Sequence, residues 1–141
     1  MRGGSTLTFA LTAFLAGCIA VAIFHQGVVA AFNAAGIMPA GFQPWSFDPV
    51  PPFGVPTVIS KAFWGGVWAV PLGLLLLNQT GPTYWVGWTV LGGVALSLVA
   101  ISIVPALTGQ PAPVFMERFP IYVAINAAWG LGTAMILRML D

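Results

Sequence analysis

Four stretches of the chain are apolar almost without interruption. They run from about Leu7 to Phe32, Thr57 to Leu77, Thr83 to Val104 and Phe119 to Leu140. Each is long enough to cross a bilayer, which takes roughly 20 residues of helix. Hydrocarbon offers no partner to a backbone N–H or C=O, so the predicted form is helix. Pro56, Pro82 and Pro120 stand at or just before predicted helix starts, where a missing N–H matters little. Pro105 is expected to close the third helix, and Pro71 to kink the second from within. The short turn Asn78-Gln79-Thr80-Gly81-Pro82-Thr83 makes helices two and three expected antiparallel neighbours. The predicted class is an all-α membrane protein: a single integral domain over residues 1–141, with four transmembrane helices in a compact bundle.

The polar intervals are unequal. Between helices one and two, residues 35–56 carry six prolines, the aromatics Phe42, Trp45, Phe47 and Phe53, and one charge, Asp48. Proline rules out a helix or a central strand there, and the aromatics suit the headgroup layer. This segment is read as a flap on the membrane surface or over the helix ends. The connection from Thr108 to Arg118 is shorter and also proline-rich.

Composition agrees. Hydrophobic residues make up 59% of the 141 and charged residues 5%, against about 25% in a soluble domain, so lipid must be the main solvent. The formal net charge of +1 comes with no basic stripe, and no nucleic-acid partner is expected. One cysteine allows no intramolecular disulfide, and one histidine with three acids is too few for an ordinary zinc or di-iron site. No metal and no cofactor are expected. Arg2 and Arg138 fall on one membrane side, Lys61 and Arg118 on the other. Lys61 lies inside a helix and Glu117 neutralises Arg118, which tips the count toward cytoplasmic termini and an outward flap. Leu15-Ala16-Gly17-Cys18 has the form of a lipoprotein signal, but the apolar run continues well past the cysteine. A signal core of about 7–15 residues should have stopped. An uncleaved first helix is the expectation, with Cys18 a small packing residue.

Polar residues in the apolar runs are few enough to name. His25 and Gln26 lie near the end of helix one, Lys61 about one turn into helix two, and Asn126 about two turns into helix four. All four sit toward one membrane surface. Trp64 follows Lys61 by three residues and Trp129 follows Asn126 by three, so a polar cavity walled by both indoles and covered by the flap is the candidate site. The bland alternatives are a Lys61 side chain that snorkels and stacks on Trp64, a neutral His25 in a structural hydrogen bond, and an Asn126 that glues helices together. Lys61-Ala62-Phe63-Trp64-Gly65-Gly66 also parallels Asn126-Ala127-Ala128-Trp129-Gly130-Leu131, and Leu15-Ala16-Gly17 parallels Leu91-Gly92-Gly93. Two repeated helical hairpins would explain this, and so would chance among common membrane residues. Small residues four apart, such as Ala16/Ala20, Gly65/Ala69 and Ala128/Gly132, predict close helix packing and a homo-oligomer.

Phe24-His25-Gln26-Gly27, Pro51-Pro52-Phe53-Gly54-Val55-Pro56 and the run from Ser60 to Trp68 resemble a group of small uncharacterised bacterial integral membrane proteins. The resemblance covers about residues 24–68. It implies four helices in a bacterial inner membrane and carries over no catalytic or binding residue.

No nucleophile–base–acid set, phosphate-binding loop or acidic pair stands out, so no enzymatic activity is expected. The leading expectation is an accessory or scaffold protein that contacts lipid and assembles with itself or with membrane partners. A subunit of an oligomeric transporter or channel is the alternative, favoured by repeated hairpins and a broken helix. A haem- or quinone-binding redox protein using His25 is the third.

Overall fold

The computed structural model describes residues 5–109, 111 and 115–140; Arg2 lies outside these. Four helices are long and apolar enough to cross a membrane: Thr6–Ala34, Thr57–Leu75, Gly81–Leu107 and Met116–Met139, here spans one to four. The shortest has 19 residues. At about 1.5 Å per residue it reaches roughly 28 Å, close to the ~30 Å hydrocarbon thickness. Span one is α1 (Thr6–Ala20), a π-helical turn (Val21–His25) and α2 (Gln26–Ala34). Ser5 begins it, its hydroxyl accepting from the Thr8 N–H at 3.2 Å. Span two is α3 (Thr57–Leu75). Span three is α4 (Gly81–Leu98), a second π turn (Val99–Ile103) and the start of α5 (Val104–Thr108), and span four lies in α6 (Phe115–Met139). The strands β1 (Pro49–Val50) and β2 (Val55–Pro56) pair antiparallel within the flap.

Two prolines depart from expectation. Pro105 does not close the third helix but lies in its continuation, directly after the π turn. A proline ring collides with the carbonyl four residues back, and a turn bonded five residues back shifts that carbonyl. Pro120 lies inside α6, which starts at Phe115 rather than Phe119. Pro71 is interior to α3, as expected.

Span one is central. It packs on span two along one side and on span four along another, while span three runs along span four. Spans two and three, though joined by the tight turn, touch only sparingly. The expected neighbour pair is therefore a connection rather than a packing interface. The glycines give the reason. A methyl group added to Gly17 would lie 2.6 Å from the Ala69 Cβ and would run into the Gly65 carbonyl oxygen. One added to Gly130 would overlap the Trp88 carbonyl and lie 3.4 Å from the Gly92 Cα. Span two is thus drawn onto span one, and span three onto span four, by backbone-to-backbone approach. Hydrophobic drive between helices is absent in lipid, so such contact is what holds them.

The surface follows the same rule. Leu7, Leu11, Leu15, Ile19 and Ile23 form an exposed apolar ridge on span one, while Ala13, Ala16 and Ala20 are fully buried. Small residues face the protein and large ones face outward. Ala16, Ala20, Gly65, Ala69 and Gly132 are all buried within the chain, so these small faces serve internal packing.

Candidate functional site

The flap is tied down at both ends by the helices it joins. Trp45 carries most of the first tie: its backbone N–H donates to Gln26 Oε1 at 2.8 Å and its indole Nε1–H to the Ala22 carbonyl at 2.8 Å. Ala22 lies in the π turn of span one. Such turns displace carbonyls from the ordinary ladder and recur at functional sites. Trp45 holds φ at 47°, a left-handed conformation rare for a bulky residue, and the two hydrogen bonds fix it there. Farther along span one, Asn33 Nδ2 donates to the Phe42 carbonyl at 3.2 Å. At the other end, the Thr57 N–H donates to the Asp48 carbonyl and the Val58 N–H to the Ser46 carbonyl, both at 2.9 Å. The flap backbone thereby takes two N–H groups that every helix start leaves unpaired. Ser46 Oγ in turn donates to Asp48 Oδ2 at 2.9 Å.

Gln26 is the pivot, 1% exposed and bonded on both sides. Its Nε2 lies 3.2 Å from His25 Nδ1. If the amide donates, the imidazole nitrogen accepts, which matches a neutral ring protonated on Nε2. His25 and Lys61 are each half-buried. The structure thus brings His25 and Gln26 together beneath the flap.

Asn126, Trp129 and Trp64 are placed elsewhere. Asn126 is buried and its Nδ2 donates to Ser97 Oγ at 3.1 Å, with that hydroxyl donating to the Gly93 carbonyl at 2.5 Å. It joins spans three and four rather than the histidine cluster. Trp129 is 1% exposed and its Nε1–H donates to the Gly17 carbonyl at 3.0 Å, beside the Gly17–Gly65 crossing. Trp64 faces outward at 55% exposure, edge-on to Phe63 at 5.6 Å. It neither walls a cavity with Trp129 nor stacks on Lys61, for which no ring contact or ion pair is formed among the described residues. The expected cavity bounded by both indoles is replaced by two smaller polar sets and a Trp–Gly core.

Sequence reasoning missed Trp45 and Ser97 as polar partners. Trp45 was readable only as one of several flap aromatics, and Ser97 only as a small residue four positions after Gly93. No group of three or more histidine, cysteine or carboxylate side chains able to hold a metal occurs among the described residues.

Two cavities lie away from the His25 cluster. One, of about 10 Å³, lies between the flap (Met38, Phe42) and the start of span four (Arg118, Tyr122). The other, of about 120 Å³, opens at the opposite end of the molecule and includes Phe9, Leu76, Tyr84, Trp88 and Arg138. Compared with known proteins, the chain matches no family model, no curated protein and no solved structure.

Proposed function

We propose that the protein is a non-enzymatic scaffold or accessory subunit of a bacterial inner membrane, with both termini on the cytoplasmic side and the flap outside. The observation that carries this reading is how the buried polar groups are used. Gln26 holds the flap, Asn126 holds Ser97, and the Thr133 hydroxyl donates to the Trp129 carbonyl at 2.9 Å. These are the contacts of a frame that fixes helices and a surface loop, with its polar atoms directed inward to the chain itself.

In this reading the molecule is two repeated hairpins, spans one and two and spans three and four, packed through spans one and four. Each hairpin crosses at paired glycines, Gly17 with Gly65 and Gly92 with Gly130, which supports the repeat. The Trp preceding the later glycine of each pair has diverged in role, outward at position 64 and inward at 129. With the small faces engaged internally, assembly with a second copy or a membrane partner would use the aromatic outer face of span two, where Ile59, Phe63 and Trp64 are exposed. Purification in mild detergent followed by mass measurement and identification of co-purifying proteins tests the proposal. A defined oligomer or a partner complex is expected. A strictly monomeric, partnerless protein refutes it.

A further inference from the structure

The flap and His25 are joined through the side chain of Gln26. A primary amide has two unlike ends: its oxygen only accepts hydrogen bonds and its NH2 only donates them. The Trp45 backbone N–H is always a donor, and it lies 2.8 Å from Gln26 Oε1. The oxygen must therefore face the flap, which turns Nε2 toward His25 Nδ1, 3.2 Å away. That nitrogen has to accept, so the closed flap goes with a neutral ring whose proton is on Nε2. Donor and acceptor roles are thus fixed along the series from Trp45 through Gln26 to His25.

A proton on Nδ1 breaks this order. Both ring nitrogens then donate, and Nδ1–H points at an amide NH2. Flipping the amide gives its oxygen to His25 but sets the NH2 against the Trp45 N–H. Withdrawing the Gln26 side chain breaks both bonds. Turning the ring aside strands Nε2 of a residue that is 1% exposed, and buried polar groups are rarely left unpaired. The first two routes free Trp45, and burial opposes the third. Trp45 is also where the flap is strained. Its φ of 47° is sparsely populated for a bulky residue, so with the N–H unpaired the backbone relaxes away from it. The indole bond to the Ala22 carbonyl belongs to the same residue and goes with it. The flanking ties, Asn33 to Phe42 and the start of span two to Ser46 and Asp48, involve other residues and remain.

Spans two and four pack on the turn that carries His25. Span two brings Lys61, half-buried, and span four brings only Tyr122 as a titratable side chain between Arg118 and Arg138. The one charge of the flap, Asp48, is engaged by the Ser46 hydroxyl. None of these forms a hydrogen bond or ion pair with His25 among the described residues. No carboxylate is therefore in place to hold an imidazolium while the flap stays shut. We propose that His25, Gln26 and Trp45 form a proton-sensitive latch, closed while His25 is neutral and opening at Trp45 when the ring is protonated. The sign follows from the donor roles: the flap is shut at higher pH and open at lower pH. The inference uses only the ties of the flap and stands apart from the scaffold reading.

The test uses the full chain in mild detergent, with isotope-labelled tryptophan and histidine followed by NMR from about pH 8 to about pH 3, a range that brackets ordinary histidine titration. The single histidine assigns its own ring signal, and Trp45→Phe assigns the indole. The Trp45 backbone and indole N–H signals are expected to change with the same midpoint as the ring. Amide exchange at Trp45, corrected for the intrinsic effect of pH, should rise about tenfold across that midpoint, the equivalent of one lost hydrogen bond. His25→Asn supplies an acceptor that does not titrate, and its Trp45 signals should hold steady over the whole range. Ring protonation that leaves the Trp45 signals unmoved would overturn the latch, and so would a ring that stays neutral throughout. Trp45 signals that follow pH in His25→Asn as they do in the natural chain would also overturn it. Should that variant not fold, the comparison of midpoints in the natural chain decides.

Discussion

Gly130→Ala should loosen the molecule although alanine is the better helix former. The added methyl would overlap the Trp88 carbonyl and lie 3.1 Å from its carbon, and backbone cannot swing aside as a side chain would. Span three must therefore back away from span four. Overpacking of this kind costs about 1–3 kcal/mol, and a gap of 0.5–1 Å forfeits roughly a quarter to a half of each affected dispersion contact. Alanine returns at most about 1 kcal/mol through helix propensity. Because the obstacle is backbone, the packing cost should sit near the top of its range, leaving a net loss of about 2 kcal/mol. Gly27 is the internal control: it is helical, and a methyl there meets nothing within 4 Å. Gly27→Ala should be neutral or stabilising by up to about 1 kcal/mol. Both variants can be measured by titrating detergent micelles with dodecyl sulfate and following the fluorescence of the buried Trp88 and Trp129. If Gly130→Ala unfolds at or above the midpoint of Gly27→Ala, the glycine crossing does not organise the fold.

The flap and the polar pairs give further expectations. Gln26→Leu removes the acceptor for the Trp45 N–H and should release the flap, seen as faster amide exchange and proteolysis over residues 35–56 with the spans intact. Trp129→Phe removes the bond to the Gly17 carbonyl and should lower stability by about 0.6 kcal/mol, the average for interhelical bonds in membranes. A double-mutant cycle of Asn126→Leu and Ser97→Ala should show coupling of about 0.5–1.7 kcal/mol, whereas Asn126 with His25 should show none, because the structure places them in separate sets. In a Cys18→Ala background, cysteines at Phe53 and Thr80 should label from opposite sides of sealed vesicles. Labelling from one side would break the four-span topology.

Much of this was legible from the chain and some was not. The apolar runs located the spans to within a few residues at most ends, because hydrocarbon leaves the backbone no alternative to helix. They also put His25, Gln26 and Lys61 at one surface, since connected helices must re-enter where they left. The helix boundary at Pro105 failed for a local reason: whether a proline ends a helix depends on the carbonyl four residues back, which the π turn moves, while Pro120 does not start α6 because that helix begins five residues earlier, at Phe115. Trp64 and Trp129 failed for a nonlocal one. Both precede a glycine in similar segments, yet one faces out and the other bonds the Gly17 carbonyl.

From sequence alone came the apolar surroundings and the four helices long enough to cross them, because each depends on composition and length. Pairing was a matter for the tertiary structure. Which helix lies against which turns on where two backbones can approach without a side chain between them. The meeting of Gly17 with Gly65 and of Gly92 with Gly130 is a relation between distant positions that neither segment specifies by itself. The same distance-dependent choice tied Gln26 to Trp45, and left the indole N–H of Trp88 buried beside an open cavity.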